Sequence, residues 1–202
     1  MACIALAMKK RLILASGSPR RKELLAELGF SFEVITSDAE EEHRSDIPLT
    51  ELCERNAELK TQVVASQYPD AVVLGGDTLV YIDEEPLGKP KTEGEAVEML
   101  KRLSGRPHQV CSGMCLIEGD HVLPFHAVTD VTFKTLSEET IRSYMAKVNV
   151  MDKAGSYAVQ ECGDMIIESV NGDFSNVVGL PQSLVLAQLQ SFGLQPEPDL
   201  AS

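Results

Sequence analysis

The sequence predicts an α/β protein built on a mixed sheet with flanking helices, and three observations carry that reading. An apolar run at residues 12–15 ends in Ser16-Gly17-Ser18 and passes directly into a helical segment over 19–28. A second apolar run, residues 71–74, has the length and continuity of a strand buried on both faces. Two further strand-like runs, 108–117 and 121–133, are joined by Glu118-Gly119-Asp120, a hairpin signal. Hairpin signals cluster in the second half, so the sheet is mixed rather than purely parallel and doubly wound.

Taken in order, the first element is a strand that turns sharply into a helix. Ser18 is placed as N-cap and Pro19 as the first helical residue, where its missing N–H costs nothing. Arg20, Arg21 and Lys22 follow immediately; cations oppose the dipole at a helix start, so they suit a bound anion there. Residues 30–36 alternate weakly as a strand, and 37–43 form an acidic loop. Pro48 opens a long helix to about residue 67, stopped by Tyr68-Pro69-Asp70. The strand at 71–74 ends at Gly75-Gly76-Asp77-Thr78, and its pattern resumes over 79–82. Residues 83–86 read as a turn, and Leu87-Gly88-Lys89-Pro90 as a constrained segment. Thr92 and Glu95 match a capping box for a helix carrying Ala96, Met99, Leu100 and Leu103. After the hairpin, Ser137 opens a helix to about 147. Residues 156–160 and 165–170 read as strands, 171–173 as a turn, and Gly179-Leu180-Pro181 introduces a last helix to about 192.

The 202 residues fit one domain or two closely joined lobes. A net charge of −13 repels nucleic acid polymers and anionic membranes, so an anion site must be local, which favours a small phosphorylated ligand. No apolar run reaches 18 residues, which argues against a membrane span. Residues 1–8 are apolar but precede their positive charges, the reverse of a secretory signal, and are expected to be a mere extension. Residues beyond 194 read as a disordered acidic tail. Five scattered cysteines without CxxC pairs fit a reduced, cytoplasmic setting. Cys111 and Cys115 share one side of a strand as two buried thiols. There is no GxGxxG and no GxxxxGK[ST], and His43, His108, His121 and His126 show no ligand spacing.

Four features converge if they share a cleft: the 16–21 turn, Glu41 within a carboxylate run, Asp77 at a Gly-Gly break, and the constrained lysines Lys89 and Lys153. Each also has a plainer reading: the carboxylate run as a solvated loop, Asp77 as a turn residue, mid-helix Lys60 as solvated, Gln160 as an edge hydrogen bonder. Cations for phosphate oxygens, with carboxylates for a hard divalent ion, equip a site for metal-assisted attack of water on a phosphoanhydride. Composition and spacing lead to a phosphate-ligand enzyme, metal-dependent, and no further.

Six blocks go further: 14–21 (LASGSPRR), 75–78 (GGDT), 88–90 (GKP), 103–105 (LSG), 152–157 (DKAGSY) and 178–181 (VGLP). In this order, over about residues 10–193, they resemble the Maf family of nucleoside triphosphate pyrophosphatases. The resemblance implies a single Maf-like catalytic domain over 10–193. Its expected fold is elongated and two-lobed, like that of the inosine triphosphatase group, with a central cleft and often a homodimeric state. It implies hydrolysis of a nucleoside triphosphate to the monophosphate and pyrophosphate with Mg²⁺, or Mn²⁺ or Co²⁺. By the resemblance, Asp77 is the proton acceptor, Glu41 or its neighbour Glu40 the acidic partner at the metal, and Ser16, Arg21, Lys60 and Lys89 the triphosphate binders. Arg20, Thr78 and Gln160 match the subgroup similar to dTTP/UTP pyrophosphatases, which extends to modified pyrimidine nucleotides. The 7-methyl-GTP subgroup carries Trp, Gln and Glu at those places. Gln160-Glu161-Cys162-Gly163 departs from the family's Gln-Gly and bears on substrate preference. The alternatives the resemblance leaves open are a 7-methyl-GTP pyrophosphatase and a nucleotide-binding regulator of septum formation or cell division.

Overall fold

Seven strands form one mixed sheet in the computed structural model, which describes residues 10–42, 44 and 46–197. The strands are β1 (Arg11–Ala15), β2 (Glu33–Val34), β3 (Ala71–Ile82), β4 (Glu85–Leu87), β5 (Pro107–Glu118), β6 (His121–Phe133) and β7 (Ile167–Asn171). Their order is β2-β1-β3-β5-β6-β7, with β4 paired to β3 off this path. The pairs β1/β2 and β1/β3 are parallel and all others antiparallel. The α/β reading with a mixed sheet is therefore what the chain folds into.

One feature of the register positions everything that follows. On one edge of β3, β1 covers Ala71 to Gly75 and β4 covers Val80 to Ile82. Between them, residues 76–79 have no strand partner on that edge among the described residues, while β5 runs unbroken along the other. A gap beside a long central strand, just past the carboxyl end of a parallel neighbour, is where open α/β sheets bind ligands. Asp77 and Thr78 sit in it.

The apolar core divides around the same point. One cluster gathers Leu12, Leu14, Leu74, Met114 and Leu116 with helix α1 (Pro19–Glu27) and the C-terminal helix α6 (Gln182–Ser191). The other gathers Val80, Ile82, Val110, Val131 and Phe133 under α3 (Glu93–Leu103) and α4 (Glu138–Met145). Two further clusters lie against α2 (Leu49–Ala65) on the opposite face of the sheet. Each face of the sheet thus carries two clusters, one toward each end of the long strands, with Thr78 between them on one face and Asp77 between them on the α2 face.

Helix α2 lies unusually close to the sheet. A Cβ on Gly75 would run into Thr61 and stand 3.3 Å from the Ala57 carbonyl, and one on Gly113 would run into the Cys53 carbonyl. Gly113 is the β5 partner of Asp77. The expected break at Gly75-Gly76 is therefore not one: β3 is continuous, and Gly75 serves the approach of a helix.

Local chemistry accounts for the remaining boundaries. Ser18 Oγ accepts from Arg21 N–H and Pro19 opens α1, as expected. Thr92 caps α3, but Glu95 reaches Lys91 N–H rather than closing the box on Thr92. Residues 83–86, expected as a turn, include the short strand β4; Asp83 and Glu84 make the turn with φ of 54° and 62°. Residues 156–160 are not a strand. They leave a 3₁₀ turn at Ala154–Ser156 and run irregularly, their apolar character explained by burial of Tyr157, Ala158 and Val159. The helix α5 (Phe174–Val178), capped by Asp173, was not legible and precedes α6. Residues 1–9 and 198–202 lie outside the described residues. Leu194 belongs to the core and Glu197 N–H donates to Gly29 C=O at 2.7 Å, so the folded chain runs past the expected boundary at 193.

Candidate active site

Asp77 is 5% exposed, a carboxylate that burial would penalise without donors. Both of its oxygens have one. Lys60 Nζ stands 2.8 Å from Oδ1, and Asn56 Nδ2 donates to Oδ2 at 3.1 Å. Asn56 and Lys60 are four apart on α2, so one helix face supplies both donors. Lys60 Nζ also contacts Glu41 Oε1 at 2.7 Å, which draws the acidic loop over the gap. The two carboxylates therefore converge on one ammonium. The plainer reading of Lys60 as solvated is corrected: its side chain is largely buried between two acids.

The other face of β3 carries a second network, since Thr78 points opposite to Asp77. Arg21 Nη2 donates to Thr78 Oγ1 at 2.8 Å, Nη1 to Ser16 Oγ at 3.1 Å, and Nε to the Gly179 carbonyl at 2.9 Å. Thr78 Oγ1 and Ser112 Oγ share a hydrogen bond of 2.9 Å, and Ser112 bonds Asn176, which is fully buried on α5. Burial lowers the Arg21 guanidinium from its ordinary value, opposed by the charges of Asp77 and Glu41. The end of β1, the start of α1 and the cap of α5 are thus tied to the gap through one side chain.

The donor set has a clear chemical character. Among the described residues no group of three or more His, Cys, Asp or Glu side chains is arranged to hold a metal ion. Two converging carboxylates nevertheless fit an ion such as Mg²⁺, which takes one or two protein carboxylates and completes its shell with water and phosphate oxygens.

Residues 11–192 match the family described as Maf-like protein. The chain belongs to the Maf-like family. A dTTP/UTP pyrophosphatase of Akkermansia muciniphila is 49% identical over 181 residues, covering 90% of this chain and 96% of that one. Another, of Symbiobacterium thermophilum, is 46% identical over 185 residues, covering 91% and 95%. Among solved structures, the Ham1 protein of Staphylococcus aureus aligns with a TM-score of 0.52 at 17% identity, covering 89% of this chain and all of that one. That likeness shows a shared mixed-sheet α/β fold.

In this Maf-like chain the remaining site candidates are placed less centrally. Lys89 follows β4 on the far side of the gap and is exposed, with no hydrogen bond to the Asp77 cluster; Gly88 C=O accepts from Gly155 N–H, which brings the 152–157 block beside it. Lys153 is buried, its ammonium within 2.6 Å of Asn149 O, 2.9 Å of Asp152 Oδ1 and 3.3 Å of Glu161 Oε1. Its protein partners already satisfy it. Arg20 is partly buried, its Nε without a hydrogen-bond partner among the described residues. Burial raises the Asp152 carboxyl and Lys153 lowers it, with Arg20 adding to a net downward direction. Gln160 is exposed in the loop after Val159, next to the non-family pair Glu161-Cys162, where Cys162 adopts a left-handed φ of 53°. Glu40 has no hydrogen bond to the cluster, whereas Glu41 does. Cys111 and Cys115 are both buried thiols on the α2 face, Cys111 against Cys53.

Sequence reasoning missed Asn56, Ser112 and Asn176. A polar residue on the inner face of a long helix was the one available signal for Asn56, at the position one turn before Lys60.

Proposed function

We propose that this protein is a metal-dependent nucleoside triphosphate pyrophosphatase acting on dTTP and UTP. The observation that carries the reading is Asp77, buried at the sheet gap with Lys60 on one oxygen and Glu41 drawn to the same ammonium. The names of the relatives, with the match of Arg20, Thr78 and Gln160, support the choice of pyrimidine substrates.

In this reading, Asp77 takes a proton from a water molecule as that water attacks the α-phosphorus. The P–O bond to the β-phosphate breaks, and pyrophosphate leaves with that oxygen. Lys60, Arg20 and Lys89 offset the charge that builds on the phosphate oxygens. Arg21 and Ser16 hold the turn before α1 and tie it to Thr78 in the gap. Glu41 and Asp77 would hold a divalent ion, which when bound supplies Lewis acidity and eases deprotonation of water. Gln160 offers a neutral donor and acceptor suited to a uracil or thymine edge, and Thr78, bonded to Arg21 and Ser112, retains one acceptor lone pair.

The test is pyrophosphate release from a panel of dTTP, UTP, 7-methyl-GTP and the common triphosphates, with Mg²⁺ and with chelator. Release from dTTP and UTP that chelator abolishes is the expected result. Release from 7-methyl-GTP alone, or from none, sinks the assignment.

A further inference from the structure

Asn56 is 1% exposed, and all three hydrogen-bonding positions of its carboxamide that face the site are used. Oδ1 accepts from Glu42 N–H at 2.7 Å. Nδ2 has two hydrogens; its two acceptors are the Glu42 carbonyl at 3.2 Å and Asp77 Oδ2 at 3.1 Å. One side chain therefore reads both backbone polar groups of a single loop residue, as a neighbouring strand does, and a carboxylate oxygen besides. Residues 35–42 lack regular secondary structure. The stretch is anchored at its start by Ile35 N–H on Leu14 C=O, and at its far end this clamp and the Glu41–Lys60 contact hold it over the gap.

We propose that Asn56 is a positioning residue that holds the acidic loop onto α2 and fixes the plane of the Asp77 carboxylate; the inference rests on the pyrophosphatase reading above. Lys60 restrains Oδ1 and Asn56 restrains Oδ2, so the carboxylate cannot rotate about its Cβ–Cγ bond without breaking one of two short contacts. The same amide places Glu42, and with it Glu41, at the site. Neither charge nor length explains the residue: an aspartate there keeps the acceptor and loses both donors, and a leucine keeps the volume and loses all three bonds.

These two variants separate the halves of the clamp. Hydrogen exchange at the Glu42 amide reads the loop, and steady-state kinetics on the triphosphate that the wild type cleaves reads the carboxylate. In Asn56→Leu, exchange at Glu42 rises tenfold or more, and kcat falls on the order of 10²-fold, the usual cost of a misplacement near 1 Å. In Asn56→Asp, Glu42 keeps its protection while kcat falls as far, with KM within about threefold of wild type in both. Wild-type protection of Glu42 in Asn56→Leu overturns the clamp, and wild-type kcat in Asn56→Asp overturns the positioning of Asp77. Should Asn56→Leu fail to fold, Asn56→Ala, which also removes all three bonds, takes its place on both readouts. Exchange needs no turnover, so a wild type that releases no pyrophosphate fails the functional reading while the loop arm still decides the clamp.

Discussion

Gly113→Ala tests whether the close approach of α2 to the sheet is what assembles the site. Gly113 is paired with Asp77 across β3 and β5. An added Cβ would stand 2.6 Å from Glu54 N and press on the Cys53 carbonyl, both of them backbone, so no side chain can swing aside. Restoring ordinary contact at 3.4 Å with the Cys53 carbonyl, the tightest of these neighbours, requires the helix to retreat by about 1.1 Å. Carried straight into the two contacts on Asp77, that retreat stretches Lys60 Nζ–Oδ1 from 2.8 Å and Asn56 Nδ2–Oδ2 from 3.1 Å to about 3.9 and 4.2 Å, past hydrogen-bond range. Overpacking of this kind costs about 1–3 kcal/mol of stability, and a shift near 1 Å at reacting groups costs on the order of 10² in rate. The assay is pyrophosphate release at a temperature where circular dichroism shows the variant folded, with urea unfolding for stability. A Gly113→Ala protein with wild-type kcat and wild-type unfolding midpoint would refute the reasoning.

Two other outcomes follow from local chemistry. His108 is buried against Tyr157 and Phe133, and burial lowers its imidazole from 6.5 to about 4. Between those values the unfolded chain binds a proton that the folded chain does not, so stability falls as pH falls through the window. From pH 6.5, where the unfolded imidazole is half protonated, to pH 5 the loss is about 1.6 kcal/mol, the slope rising toward roughly 1.4 kcal/mol per unit, and His108→Gln removes that part of the slope; equal slopes in both proteins contradict it. Glu84 holds φ at 62° in the β3–β4 turn, and Glu84→Gly relieves that strain while leaving Asp83 on Arg106. The variant is expected to gain about 1 kcal/mol, raising Tm by roughly 2–4 °C, and a lower Tm in scanning calorimetry would count against it.

What the sequence disclosed depended on whether the decisive interaction was local. The turn from β1 into α1 was legible because Ser18 and Pro19 act within one helical turn. The β5–β6 hairpin was legible because its turn residues lie between two patterned runs. Gly75 was misread as a break because the reason for it, Thr61 and Ala57 on α2, lies far along the chain. Residues 156–160 looked like a strand because burial, not pairing, made them apolar. At the site, Asp77 stood out as a carboxylate amid apolar residues, and its cationic partners matched a family pattern. Asn56 did not stand out, since nothing in the helix pattern says that its amide meets a loop on one side and a strand on the other. Lys153 was legible as constrained, but its saturation by Asn149, Asp152 and Glu161 was not.

The central claim is that the Asp77 carboxylate accepts the proton from the attacking water. Asp77→Asn keeps the size of the side chain and an acceptor for Lys60 while removing the base. Single-turnover pyrophosphate release from dTTP, measured beside equilibrium binding of the nucleotide, tests that claim most directly. The account requires release to fall by orders of magnitude with binding retained. Release at the wild-type rate from the Asp77→Asn protein would contradict it.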